Sequence, residues 1–157
     1  MPEAVLPAVR TGTVMAFDYG EQRIGVAIGE SLLRTAHPLT VIHAHANDER
    51  FAAIAALIAE WRPVRLVVGM PMTDDGAPHA LAARCTRFGN RLHGRFALPV
   101  VFADERLSSA DAASRLREAG RDARAAKAHL DAVAAQVILQ THFDSEPRET
   151  HVHATPT

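Results

Sequence analysis

The stretch Thr13–Gly29, TVMAFDYGEQRIGVAIG, decides the fold of this chain. It holds two β-like runs, TVMAFD and RIGVAIG, on either side of a turn at residues 19–22 that contains a glycine. Two such runs around a short turn predict an antiparallel hairpin. The first run ends at Asp18, an acid that directly follows apolar residues. Placing a carboxylate there costs desolvation energy, so we expect it to have a function.

Downstream of the hairpin, apolar runs alternate with stretches of helical periodicity. The pattern predicts a third strand at Leu39–His43, a helix from Asn47 to Arg62 capped by Asn47 or Asp48, a strand at Arg65–Gly69, a turn at Asp74–Gly76, and a helix over residues 79–94. It continues with a strand at Pro99–Ala103, a helix from Ser108 or Ser109 to about Glu118, a basic loop over Gly120–Lys127, and a helix over His129–Phe143. This order predicts an α/β domain in which helices flank a mixed five-stranded sheet.

Composition excludes several classes of protein. The chain has 157 residues, 48% of them hydrophobic, which suits one domain with a true core. Its net charge of −1 argues against disorder, and its single cysteine rules out a disulfide scaffold. No apolar run approaches the roughly 20 residues of a membrane span. The first residues lack the pattern of a signal peptide, so we expect a cytoplasmic protein without a membrane partner.

Acidic residues at three places in the chain form the candidate site. Asp18 ends the first strand, Asp104 and Glu105 follow the last strand, and Asp131 lies in the first turn of the last predicted helix. Sites in open α/β sheets form at the carboxyl ends of strands. Converging carboxylates repel unless cations neutralise them, and a pair of divalent ions suits attack on a phosphodiester. Taken alone, Asp131 could equally be a helix-dipole or capping group.

Positive charge is concentrated in the middle of the chain. Residues 80–130 carry 10 basic and 5 acidic groups, whereas the segments on either side are both acidic. Arg84, Arg87, Arg91 and Arg95 recur at helical spacing and form one stripe. The stripe is either a solvated helix face or a surface that follows a phosphate backbone. Near-neutrality of the whole chain therefore does not exclude nucleic acid as a partner.

Four ordered blocks resemble the YqgF/RuvX family, whose members are described as pre-16S rRNA nucleases and as Holliday-junction-resolvase-like. They are MAFDYGEQRIGVAIG, LVVGMPMTDDG, LPVVFADERLSSADA and LDAVAAQVILQTHFD. The resemblance runs from about Gly12 to Asp144 and implies an RNase H-like nuclease domain over residues 12–144. Residues 1–11 and 145–157 are expected to be flexible tails.

The resemblance also implies the site residues. Asp18, Glu105 and Asp131 would be the catalytic acids and would hold Mg²⁺ or Mn²⁺, as a pair of ions. Adjacent residues on a strand face opposite ways, so we expect Glu105 rather than Asp104 to contact the metal. His129, two residues before Asp131, could assist proton transfer or be merely exposed. The residues expected to contact nucleic acid are Arg23, Arg84, Arg87, Arg91, Arg106, Arg121, Arg124 and Lys127.

Arg23 and Arg106 have a second possible role, because each adjoins a motif acid or the glycine turn and could hold the carboxylates in place. The expected activity is metal-dependent hydrolysis of phosphodiester bonds, at the 5′ end of the small-subunit rRNA precursor. Ribosomal particles are possible partners, and the protein would be a monomer or a homodimer. A resolvase of branched DNA and a non-catalytic RNA-binding assembly factor remain alternatives. ATP binding is disfavoured, because 157 residues provide no second lobe to close over a nucleotide.

Overall fold

A computed structural model describes residues 11–71, 79–104 and 123–145. Its elements are β1 (Thr13–Tyr19), β2 (Arg23–Glu30), β3 (Thr35–His43), α1 (Asn47–Trp61), β4 (Arg65–Met70), α2 (His79–Phe96), β5 (Val100–Asp104) and α3 (Ala123–Ser145). The predicted helix from Ser108 to Glu118 and the turn at Asp74–Gly76 lie outside the described residues. So do residues 1–10 and 146–157, and the two flexible tails therefore stay predictions. None of the described helices is long and apolar enough to cross a membrane.

The five strands form one mixed sheet in the order β3-β2-β1-β4-β5. β1 and β2 pair antiparallel, as the glycine turn between them predicts. β1, β4 and β5 run parallel, so their carboxyl ends lie at one edge of the sheet, which we call the carboxyl edge. The predicted α/β class and five-stranded mixed sheet are confirmed.

Each face of the sheet carries its own core. Met15 and Phe17 of β1 pack with Phe51 of α1 and with the predicted apolar stripe of α2, including Phe88 and Leu92. Residues of the opposite parity pack against α3. They include Val14 and Ala16 of β1, Val67 of β4 and Ala103 of β5. Because successive strand residues face opposite ways, α1 and α2 cover one face and α3 covers the other.

The third strand is longer than predicted. It was expected at Leu39–His43 but begins at Thr35 and runs through Pro38. β3 lies at an edge of the sheet, where a proline without an N–H group is tolerated. Its pairing with β2 is irregular at this point, because Ala27 of β2 pairs with Pro38 whereas the preceding Val26 pairs with Thr40. The proline is thus accommodated in an irregular edge strand.

The first helix begins at Asn47 as predicted, but its cap and its last residue differ from the prediction. The residue before α1 is Ala46, and no side chain caps the helix there, so the predicted cap at Asn47 or Asp48 is wrong. Arg62 adopts a left-handed conformation, with φ of 48°, and its N–H donates to the Ile58 carbonyl. The helix ends at Trp61 because Pro63 disfavours a helical conformation at the residue before it.

The last helix begins six residues earlier than predicted. Residues 123–127 were assigned to a basic loop, but they form the first turns of α3. Four of the six residues from Ala123 to Ala128 are alanine, the strongest helix former, and the glycine that suggested a loop lies earlier, at position 120.

Candidate active site at the carboxyl edge

Asp18 lies at the carboxyl edge, one residue before the end of β1. It has the same parity as Val14 and Ala16, which pack in the core beneath α3. Those two residues are fully buried, whereas Asp18 is half-buried. β1 therefore places the Asp18 carboxylate at the border between the core beneath α3 and the solvent.

Gly25 brings the last helix close to Asp18. It is the register partner of Asp18 in the β1–β2 pair. A Cβ atom at position 25 would lie 1.9 Å from the Asp131 carbonyl oxygen and 3.0 Å from the Ala132 nitrogen, so only glycine admits the helix backbone here. Asp18 and Asp131 thus flank the same glycine on one face of the sheet.

Arg23 joins the hairpin to the helix acid. Its Nε donates a hydrogen bond of 2.6 Å to Oδ2 of Asp131. The two side chains are 34% and 23% exposed, so solvent screens the ion pair only in part. Arg23 was expected either to contact nucleic acid or to hold a carboxylate in place, and this contact corresponds to the second role.

The third predicted acid, Glu105, lies outside the described residues. β5 ends one residue before it, at Asp104, which is paired with Met70 of β4 at the carboxyl edge. Within the described part of the chain, no group of three histidine, cysteine or acidic residues lies close enough to hold a metal ion. Of the three predicted ligands, Asp18 and the backbone of Asp131 lie at the same glycine, Gly25, whereas Glu105 stays a prediction, as does the binding of metal by all three.

Several predicted nucleic-acid contacts fall at or beyond the limits of the described chain. Arg106 and Arg121 lie outside it. Arg124, Lys127 and His129 belong to the first turns of α3, on the same helix as Asp131. The assignment of the arginines and of Lys127 to nucleic acid stays a prediction, as does the proton-transfer role considered for His129.

The arginine stripe lies on the exposed side of α2, above the opposite face of the sheet from Asp18. Arg84 pairs with Glu21 of the β1–β2 turn, and the Arg95 guanidinium lies 4.3 Å from the centre of the Phe51 ring. Beneath Arg84, Arg87 and Arg91 is a cavity of about 290 Å³, which we call the arginine cleft. The residues that line it also include Tyr19, Glu21 and Arg50.

Arg50 is a residue that the sequence analysis missed. It is only 3% exposed. Its Nε donates to the Ala44 carbonyl at 2.8 Å, and one terminal nitrogen donates to the carbonyls of Gly20 and Glu21. These bonds anchor the turn after Asp18 to α1. The sequence did carry a signal that Arg50 is buried. Arg50 precedes the buried Ile54 by four residues and so lies on the apolar side of the helix.

The chain that carries these elements matches a known family. The model of the family described as "RuvX: Holliday junction resolvase" matches residues 12–145. The chain belongs to the RuvX family.

Relatives agree with this membership. A protein of Dechloromonas aromatica named "Putative pre-16S rRNA nuclease" is 63% identical to this RuvX-family chain over 134 residues, which cover 85% of this chain and 92% of the relative. A protein of Methylobacillus flagellatus with the same name is 57% identical, over 92% of this chain and 97% of the relative.

The structure of T. thermophilus RuvC in complex with a Holliday junction substrate superposes with a TM-score of 0.50 at 19% identity. The superposition covers 83% of this chain and 92% of RuvC. It confirms the RNase H-like fold that the resemblance implied.

Proposed function

We propose that this protein is a metal-dependent nuclease that hydrolyses phosphodiester bonds at the 5′ end of the 16S rRNA precursor in the cytoplasm. The observation that carries the proposal is the placing of Asp18 and Asp131 on either side of Gly25, at the carboxyl edge. Sites in α/β sheets form at this edge. The names of the two relatives support the choice of substrate.

The donor set suits Mg²⁺ or Mn²⁺. Asp18, Asp131 and, by prediction, Glu105 offer carboxylate oxygens only, and hard cations prefer such ligands. Asp18 faces the same side of the sheet as α3, and the backbone of Asp131 packs against Gly25, the register partner of Asp18, which supports a shared site for cations. A bound pair of such ions would supply Lewis-acid stabilisation of the charge that develops on the phosphate.

The remaining residues position the acids and the substrate. Arg23 fixes the orientation of the Asp131 carboxylate through its 2.6 Å hydrogen bond. The basic residues that we assign to the nucleic-acid backbone are Arg84, Arg87, Arg91, Arg106, Arg121, Arg124 and Lys127. Positive side chains along a surface displace counterions from nucleic acid and hold the strand in register.

The test is a cleavage assay on a panel of nucleic acids with purified protein. The panel contains an rRNA fragment that spans the 5′ end of the 16S sequence, an unrelated RNA, a linear DNA and a four-way DNA junction. We expect cleavage of the rRNA fragment in Mn²⁺ or Mg²⁺, and none in excess EDTA. Binding to the fragment without cleavage in either metal would contradict the proposal and favour a non-catalytic assembly factor.

A resolvase of branched DNA is a second candidate, because the family model carries that description. It would use the same acids on a different substrate. Resolution requires two symmetric cuts and hence a dimer. Preferential cleavage of the four-way junction, together with a dimer mass in solution, would support this candidate over the rRNA nuclease.

Replacing Arg23 by glutamine is expected to lower the cleavage rate by about 10- to 100-fold, which is typical when the partner of a metal-ligating group is lost. The Mn²⁺ concentration for half-maximal rate should rise, because the Asp131 carboxylate loses its fixed orientation. The free energy of unfolding should change by no more than about 1 kcal/mol, since the pair is partly exposed.

Arg62→Gln is the matched control for this substitution. Arg62 is exposed and follows α1, next to the start of β4 and therefore at the far end of the sheet from Asp18. Its cleavage rate and Mn²⁺ dependence should equal those of the wild type. Equal effects of the two substitutions would show that general loss of positive charge, rather than the contact with Asp131, lowers the rate.

A further inference from the structure

The arginine cleft lies on the face of the sheet opposite Asp18 but at the same edge. Asp18 and Tyr19 are consecutive on β1, so their side chains face opposite sides of the sheet. Asp18 faces the α3 side, and Tyr19 lines the arginine cleft between α1 and α2. A single strand of nucleic acid that crosses the carboxyl edge can therefore place one nucleotide at Asp18 and an adjoining nucleotide in the arginine cleft.

The cleft carries excess positive charge. Four of its lining residues are arginines, and among its lining residues only Glu21 is acidic. Glu21 pairs with Arg84. Within the described part of the chain, neither Arg87 nor Arg91 pairs with an acid, and both side chains are exposed. An anion in the cleft could therefore pair with Arg87 and Arg91 without first breaking an ion pair to an acidic residue.

The floor of the cleft is rigid and cationic. The Arg50 guanidinium is held by backbone carbonyls, so its charge is hydrogen-bonded but not neutralised by these contacts. It lies 5.4 Å from the centre of the Tyr19 ring, and that ring packs 4.8 Å from the ring of Phe88. Aromatic rings and guanidinium planes are the surfaces on which unpaired bases stack.

The size of the cleft restricts what it can take. A volume of about 290 Å³ is at the lower end of the range for small-ligand sites. It suits one nucleotide and excludes a duplex, which is too wide to enter a cavity between two helices. The combination of exposed arginines, a buried cation and an aromatic wall matches a nucleotide with its phosphate rather than an apolar ligand.

We propose that the arginine cleft binds one unpaired nucleotide of the substrate, next to the phosphate that is cut at the carboxyl edge. Arg87 and Arg91 contact its phosphate, Tyr19 contacts its base, and the buried Arg50 adds positive charge to the floor of the cleft. Glu21 limits the affinity, because its carboxylate holds Arg84 and repels the incoming phosphate. This inference rests on the proposed nuclease function, but binding to the cleft can be measured without catalysis.

The test compares binding of a short single-stranded RNA with that of the matching duplex, in EDTA so that metal-dependent cleavage does not interfere. For the wild type, we expect tighter binding of the single strand. In the double variant Arg87→Gln/Arg91→Gln, single-strand affinity should fall by at least about tenfold, in line with the loss of charged hydrogen bonds. Duplex affinity should change much less. Arg62→Gln should bind both RNAs as the wild type does.

Two further variants separate the cleft from a general charged surface. Glu21→Gln should tighten single-strand binding by about threefold, a size typical of one exposed charge. Tyr19→Leu should weaken binding of the single strand but leave binding of inorganic pyrophosphate unchanged, because only the base contact is lost. Melting temperatures of both variants show whether the fold is kept, and the arginine variant decides the outcome if Tyr19→Leu does not fold.

Three outcomes would overturn or redirect the inference. Equal losses for single strand and duplex in the arginine variant would mean that the stripe is only a charged face. Binding of free adenosine monophosphate as tight as that of the RNA would assign the cleft to a free nucleotide. Intact single-strand discrimination in that variant, in a protein that still cleaves rRNA, would reject the cleft and leave the nuclease function standing.

Discussion

Replacement of Asp18 by asparagine is expected to lower the rate of phosphodiester cleavage by on the order of 10³-fold. Loss of one carboxylate from a metal-centred site removes several kcal/mol of transition-state stabilisation, and each ~1.4 kcal/mol corresponds to tenfold in rate. The substitution keeps the shape of the side chain at a half-buried position. The melting temperature should therefore stay within a few degrees of that of the wild type.

Asp144→Asn is the control for loss of one negative charge. Asp144 is exposed on α3, thirteen residues after Asp131 and therefore about 20 Å away along the helix axis. It accepts a hydrogen bond from Gln140, and the asparagine oxygen can still accept it. This variant should cleave at the wild-type rate. Full activity of Asp18→Asn in Mn²⁺ would reject Asp18 as a catalytic acid.

Replacement of Gly25 by alanine is expected to destabilise the protein by about 3 kcal/mol or more, at the upper end of what overpacking costs. The added Cβ would lie 1.9 Å from the carbonyl oxygen and 2.3 Å from the carbonyl carbon of Asp131. Both are backbone atoms of α3, so no side chain can turn aside to relieve the clash. The melting temperature should fall by roughly 10 °C, and cleavage should fall with it as Asp131 moves away from Asp18.

Gly94→Ala is the matched control for Gly25→Ala. A Cβ at position 94 would meet nothing within 4 Å, and Gly94 lies within α2. Alanine there should raise the free energy of unfolding by about 0.5–1 kcal/mol, because glycine loses more conformational entropy in a helix. An unchanged melting temperature for Gly25→Ala would contradict the close packing of α3 on the hairpin.

Much of the fold could be predicted because the deciding signals are local. The hairpin follows from two apolar runs and a glycine turn, and the stripe with Cys85, Phe88 and Leu92 is buried as its spacing predicts. The two errors in element bounds have different causes. Pro38 is accepted in β3 because the strand lies at an edge, which is a tertiary effect, whereas the start of α3 follows a local preference of alanine that the nearby glycine and charges obscured.

The candidate site could be predicted only in part. Asp18 stands out because an acid after a buried strand is costly, and Asp131 stands out through a family motif. Neither signal reveals that Arg23 binds Asp131, a contact between residues 108 positions apart in the chain. Arg50 and the arginine cleft were missed because helical spacing marks a residue as buried but does not show which carbonyls from another element receive its hydrogen bonds.

The sequence by itself determined the layered α/β fold and the family, and it singled out the candidate acids, because strand alternation, helix periodicity and motif spacing are properties of neighbouring residues. Only the tertiary structure decided that Gly25 sets the distance between the hairpin and α3, and that α3 covers the face of Asp18 while α1 and α2 cover the face of Tyr19. Close packing and charge pairing depend on which distant backbone atoms meet. No local pattern along the chain reveals those distances.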